Sequence, residues 1–351
     1  MPHLGSVTAF VGLVAAACAS RSVRRGGSLQ PKPRDAGIDC VAFFFLKPGS
    51  VNAKVDALVE KIFREHNITV LDQGIIDGPD TADVIDLHYG VLAERARHVA
   101  ANNLPPVPES AVEAFESTFG VRWAEAIETG AVLNLSEAIE AGVFPDGASA
   151  KEKEAEWRAS PCVKLFSGTY VAKVGDHFVI NGFYEAMRQM FVQAPNGVSW
   201  KVVGWDSSRG LSWNDFRVNI VGATNPTKAS PTSIRGHLFS SFATYGMTKP
   251  PAGAANGCHA SASPLEALFE RGIWLGGATG GAKPTKINYP QRHTPLLSIL
   301  RDSGATDADV LWLCRNPTCP GDDTPVFDLV EHTTTKECAA ILLQKLRQRN
   351  Q

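Results

Sequence analysis

Asn256-Gly257-Cys258-His259-Ala260-Ser261-Ala262-Ser263, with Glu270 eleven residues beyond the histidine, is the stretch from which the rest of the chain is read. A carboxylate that accepts a hydrogen bond from one imidazole nitrogen fixes the tautomer. The other nitrogen is then free to take a proton, a metal or an electrophile. A lone histidine is more often a structural hydrogen-bonder, so the reading turns on what surrounds it. Cys258 beside it reads as a space-filling residue of a pocket wall.

Three further blocks stand upstream: Phe45-Leu46-Lys47-Pro48 at the end of an apolar run, Gly222-Ala223-Thr224-Asn225-Pro226, and Thr232-Ser233-Ile234-Arg235-Gly236. In this order the four blocks resemble the nucleoside diphosphate kinase family. That family carries Lys-Pro after its first strand, then Gly-x-Thr-Asn-Pro, Thr-Ile-Arg-Gly, and Asn-x-x-His-x-Ser around a phosphorylated histidine. The Pro226-to-Arg235, Asn256-to-His259 and His259-to-Glu270 spacings fit the family pattern. The resemblance covers residues 40–95 and 178–276, under half of the chain.

The resemblance implies an α/β fold with a ferredoxin-like split βαβ nucleoside diphosphate kinase core. It implies ping-pong transfer of a γ-phosphoryl group from a nucleoside triphosphate to a nucleoside diphosphate. Such transfer needs an aligned nucleophile and positive or hydrogen-bonding groups on the nonbridging oxygens. His259 is then the nucleophile and Glu270 the carboxylate that orients it. Lys47 reaches the γ-phosphate, and Arg235 and Arg217 grip the phosphates, because the guanidinium fork donates two parallel hydrogen bonds. Arg217 sits one position off the family spacing, and Arg209 is the alternative. Thr224 donates to a phosphate, Asn256 bonds the ribose side, Tyr89 donates near the transferred group, and Ser261 supports the site. Mg²⁺ travels with the nucleotide, because no dense carboxylate cluster offers a cage. The plainer readings are a solvated Lys47, a half-buried aromatic at Tyr89 and a simple turn at Thr224-Asn225-Pro226. Three departures stand out: Gly49 replaces the aspartate after Lys-Pro, Ala262 replaces a second aspartate, and the base-stacking aromatic is left to Phe178 or Phe183.

Composition agrees with a globular chain: 351 residues, 44% hydrophobic, 20% charged, formal net charge -2. Near-neutral charge gives no support for nucleic-acid binding. Seven cysteines without tight metal spacing argue against a zinc module. Cys40–Leu46 reads as a buried strand, the apolar spacing of Val55, Leu58, Val59, Ile62 and Phe63 as a helix, and Ile68–Ile76 as a second strand. Residues 81–95 read as one helix. Within 96–177, residues 111–119 and 123–127 read as helices, and 170–180 as a hairpin turning at Gly175-Asp176. Residues 183–190 form a helix and 200–205 a strand. The expected division is a leader (1–36), two core segments (37–95 and 178–276), an inserted helical/hairpin subdomain (96–177), and a linker with a C-terminal extension (277–351), in which 339–346 is helical. The resemblance leaves a homo-oligomer open, and a protein partner could dock on the insertion or extension. The rival class is a non-catalytic nucleotide-binding or scaffold protein. Against it, Lys47, Tyr89, Thr224, Arg235, Asn256, His259 and Glu270 are all present.

The first acidic residue is Asp35. An apolar, small-residue run over 4–19 precedes a basic stretch with Arg21, Arg24, Arg25 and Lys32. This tandem resembles a signal peptide followed by a transit peptide and predicts import into a plastid, with the mitochondrion as the alternative. N-terminal sequencing of protein from its native source should find a mature end after Ala19, between Arg25 and Cys40; an intact Met1 would end the import reading.

Overall fold

A computed structural model of the protein describes residues 23–25, 37–166, 168–275, 294–319, 321–322 and 324–349. The fold is mixed α/β, with two sheets and many helices. The strands are β1 (Val23–Arg25), β2 (Cys40–Leu46), β3 (Thr69–Ile76), β4 (Val132–Asn134), β5 (Cys162–Phe166), β6 (Thr169–Val174), β7 (His177–Ile180), β8 (Val198–Trp205) and β9 (Cys258–Ala260). The first sheet runs β1-β3-β8-β2-β9 and the second β4-β7-β6-β5.

β2 is an interior strand of the first sheet, between β8 and β9. All seven of its residues are buried, because helices cover both faces and alternate side chains serve different cores. Ala42, Phe44 and Leu46 join the helix Ala53–Glu65, whose Val55, Leu58, Val59, Ile62 and Phe63 face them. Val41, Phe43 and Phe45 pack with Trp200, Phe191 and Trp274 on the other side. Asn52 starts the helix by accepting from the Lys54 and Val55 amides. β8 is antiparallel to both β2 and β3, so the helix connects two strands that β8 separates.

Several elements differ from the sequence expectation. Residues 81–95 are two helices, Ala82–His88 and Gly90–Arg97, broken at Tyr89. Glycine at position 90 lowers the cost of that break, since it favours helix less than almost any residue. The segment between the core parts holds a four-stranded sheet, not a hairpin alone: β6 and β7 form the expected hairpin, while β4 pairs parallel with β7 and β5 antiparallel with β6. Short β4 carries too few residues to show a period. The expected leader and the glycine-rich stretch 276–283 lie outside the described residues, except for Val23–Arg25. Those three residues pair antiparallel with β3. Read as a targeting leader, residues 1–36 were expected to lie outside the fold, but an edge strand needs only backbone pairing.

At the C-terminal end, the helices Pro295–Asp302, Asp307–Leu313, Val326–Leu329 and Thr335–Arg349 close a separate apolar cluster over Leu265 and Leu268. The expected helix 339–346 is part of the last of these. No helix among the described residues is long and apolar enough to cross a membrane.

Phe44 is fully buried and meets Phe63 edge-on at 5.3 Å. Phe44→Ala should cost about 3–5 kcal/mol in denaturant unfolding; a loss under ~1 kcal/mol would mean that β2 is not the centre of this core.

Candidate active site

The site forms where β9 closes the edge of the first sheet. Phe45 pairs with His259, and the ladder continues through Lys47 N–H to Gly257 O (3.0 Å) and Ser261 N–H to Phe43 O (2.9 Å). In this register the His259 backbone faces β2, and the carbonyls of Cys258 and Ala260 face away from it. An edge strand leaves such carbonyls open. Here two arginines take them. Arg235 Nη2 donates to Cys258 O at 2.8 Å, and Arg217 Nη1 donates to Ala260 O. Arg235 Nη1 also donates to Gly222 O at 2.5 Å.

Local sequence explains how Arg235 arrives. Ser233 caps the helix Ile234–Ser240 by accepting from the Gly236 amide at 3.1 Å. A Cβ on Gly236 would fall 1.9 Å from Ser230 O, so the Arg-Gly pair lets the helix press against the preceding loop. Arg217 lies in a π-helical segment, Phe216–Val221, closed by the Gly222 amide to Arg217 O. Arg209, the alternative, is exposed and pairs with Asp206 at 3.3 Å.

His259 projects to the face of the sheet opposite Cys258 and Ala260. Its ring stacks on Phe45 at 4.7 Å between centroids. Nε2 lies 2.6 Å from Glu270 Oε1. Ser261 Oγ donates to Glu270 Oε2 at 2.6 Å and accepts from the Phe43 amide at 3.0 Å. Glu270 comes from the helix Pro264–Leu275. Ser263 accepts from the Glu266 amide, and the Glu266 carboxylate accepts from the Ala262 amide, which fixes the helix start just past the histidine. Glu266, Glu270 and Trp274 recur every four residues and so share one face.

Lys47 is buried, with Nζ donating to Ala254 O at 2.9 Å. The long loop before Asn256 therefore supplies its partner. Asn256 Nδ2 donates to Thr224 O at 2.9 Å, and its buried Oδ1 has no partner among the described residues. Thr224 is exposed. Gly49, where the resemblance leads one to expect aspartate, has φ +90°, a conformation that suits glycine.

Electrostatics follow from burial. Burial first, then Lys47, Arg217 and Arg235, hold His259 well below the ordinary histidine value, so its imidazole is neutral. Burial and then Arg235 bring Lys47 down to about 8. Burial raises Glu270, and burial with the nearby charge of Glu270 pushes Glu266 up to about 7. Burial and then Glu270 raise the Tyr89 phenol, which stays protonated.

The structure thus gathers His259, Glu270, Ser261, Lys47, Arg217 and Arg235 around β9, with Asn256 tied to the Thr224 backbone. Tyr89 lies beside His88, whose ring meets the His259 ring at 4.6 Å. The sequence reading placed His88 on a helix and gave it no role; its only signal was adjacency to Tyr89. Of the two expected base-stacking aromatics, Phe178 is withdrawn into a core and Phe183 is half-buried. Phe178 is buried between Phe115 and Phe119, and Phe183 packs on Trp157 with Arg158 over its face. Both belong to the core of the second sheet, a part of the fold that the sequence reading took for a hairpin.

No known family model matches the chain, and no curated protein matches it. Among solved structures, the crystal structure of an NDP kinase from Pyrobaculum aerophilum aligns with 68% of this chain and 95% of its own. The identity is 16% and the TM-score 0.32. A likeness at that level assigns neither family, activity nor site residues.

Lys47 near pKa 8 gives a pH signature. Its charge is present below about pH 8 and is lost as the pH rises through that value. Sulfate does not titrate in this range and serves as the probe. Its affinity should weaken by about tenfold (~1.4 kcal/mol) from pH 7 to pH 10, and Lys47→Met should bind weakly with no step. A flat wild-type profile would show that the Lys47 charge does not act on a bound anion.

Proposed function

We propose that the chain is a nucleoside diphosphate kinase that carries the phosphoryl group on His259. One observation carries the reading. A neutral imidazole has one nitrogen held by a carboxylate, and three cations converge on its strand with hydrogen bonds to carbonyls, not to carboxylates. Such a set leaves positive potential for an anionic substrate beside a nucleophile whose lone pair is available.

On this reading His259 Nδ1 attacks the γ-phosphorus of a nucleoside triphosphate. The bond from that phosphorus to the β–γ bridging oxygen breaks, and the diphosphate leaves with the electron pair. A second nucleoside diphosphate then takes the group through its terminal oxygen. Glu270 accepts the Nε2 proton's hydrogen bond and offsets the positive charge that grows on the ring. Lys47, Arg217 and Arg235 stabilise the nonbridging oxygens. Thr224 adds a hydroxyl, Tyr89 a phenol, and the orphaned Asn256 Oδ1 accepts from a ribose hydroxyl. Ser261 keeps Glu270 in place. Mg²⁺ enters with the phosphates and shares their charge.

The order β9-β2-β8-β3 supports a ferredoxin-like split βαβ core. The one-position offset of Arg217 coincides with its π-helical turn, which holds one more residue than an α turn. The second sheet then belongs to an insertion, and the helices from Pro295 onward to an extension; either offers a surface for a protein partner.

Incubation with γ-labelled ATP should give an acid-labile, base-stable phosphoprotein, and His259→Ala should abolish it while keeping ATP affinity within about tenfold, roughly 1.4 kcal/mol. ATP binding with no label on the wild-type protein would favour the non-catalytic reading.

A further inference from the structure

His88 ends the helix Ala82–His88 with its imidazole inside the site, 3% exposed. His88 Nδ1 stands 3.5 Å from Glu270 Oε1, and the His88 and His259 rings meet edge to face. One ligand atom from each of His88, His259 and Glu270 lies within 4.8 Å of the other two. A second observation bears on what belongs there. The Trp274 indole N–H, a donor only, points at His88 Nδ1 from 3.3 Å, so that nitrogen carries a lone pair. Glu270 Oε1 is also an acceptor. Each of these two buried acceptor atoms takes a hydrogen bond from elsewhere, from Trp274 and from His259, and no hydrogen lies between them, so the gap they share is electron-rich and suits a cation.

We propose that His88, His259 and Glu270 form a site for a divalent transition-metal ion of the zinc class, and that filling it silences His259. Two imidazoles and one carboxylate are a ligand set that zinc uses with a fourth position open. Magnesium and calcium favour all-oxygen shells, so the site discriminates against the ion that travels with nucleotides. Bonds of about 2.0–2.2 Å at tetrahedral angles place ligand atoms roughly 3.3 Å apart. The observed separations of 2.6 Å and 3.5 Å bracket that spacing. Phe45, Tyr89 and Trp274 line the cluster with rings, which limits competing water. His259, 19% exposed, is the accessible member.

Silencing follows from the tautomer. A metal–Nε2 bond on His259 replaces the Nε2–H bond, and that proton moves to Nδ1. Atoms and charge balance without a co-reactant. Nδ1 is then an N–H without a lone pair and cannot take a phosphoryl group. This consequence rests on His259 being the phosphoryl acceptor; metal binding itself does not.

The full-length protein, stripped with chelator, is titrated with Co²⁺ by visible absorption and with Zn²⁺ against a chromophoric chelator. One ion per chain is expected, bound at least tenfold more weakly by His88→Phe, which keeps a ring among the aromatics. No stoichiometric binding to wild type, or a His88→Phe affinity within twofold of wild type, overturns the site. Should His88→Phe not fold, ¹⁵N histidine spectra of the wild type decide: Zn²⁺ must shift both His88 and His259 and move the His259 proton to Nδ1, and unmoved resonances overturn the proposal. One equivalent of Zn²⁺ should then block labelling by γ-labelled ATP in wild type; binding without block removes the silencing claim. No labelling of metal-free protein would instead count against the kinase reading, leaving the titration to judge the site.

Discussion

The site depends on one constraint: β9 is held from both edges. β2 takes the backbone of His259 on one side, and the guanidinium groups of Arg235 and Arg217 take the carbonyls of Cys258 and Ala260 on the other. An edge strand of three residues would otherwise fray. Pinned in this way, it presents His259 at a fixed angle to the carboxylate on the following helix. The arginines brace the backbone and charge the pocket at once. Replacing either by lysine would keep the charge and lose the two-pronged geometry.

The electrostatic state of the site follows from that packing. Burial and three neighbouring cations disfavour a protonated His259. Burial of Glu270 would favour its neutral form, but donors from His259 and Ser261 stabilise the carboxylate. The imidazole is therefore neutral and oriented before any ligand arrives, which is the preorganisation that nucleophilic catalysis asks of a protein. Behind the helix that carries Glu270, the C-terminal helices bury Leu265 and Leu268, and the His332 amide donates to Ala262 O at 2.9 Å. The C-terminal segment thus packs on the turn between His259 and its carboxylate.

The elements most legible in the sequence are those with one dominant signal. β2 could be read because a strand buried on both faces is continuously apolar, and the following helix because its apolar residues recur at 3.6. The pair His259–Glu270 is what the resemblance implies from its matching spacing, and the structure brings the two together because a short strand, a capped turn and a helix leave little freedom between them. The break at Tyr89 could not, because helical spacing continues across it, and with it went the inward turn of His88. β4 was too short to show a pattern. The pairing of Val23–Arg25 depends on backbone hydrogen bonds that no side-chain pattern announces. Phe178 is withdrawn for a related reason: its burial comes from Phe115 and Phe119, distant in sequence, on the helix Glu109–Phe119 that packs on the second sheet.

The claim at the centre of this account is that His259 is neutral, with its proton on Nε2 and a lone pair on Nδ1. Long-range ¹H–¹⁵N correlation spectra of ¹⁵N-histidine protein, recorded without metal or nucleotide from pH 8 down to pH 5, test it directly. The account predicts that the His259 nitrogens keep neutral-tautomer shifts, Nε2 protonated and Nδ1 bare, throughout that range. Titration near pH 6.5, or a proton resident on Nδ1, would contradict it.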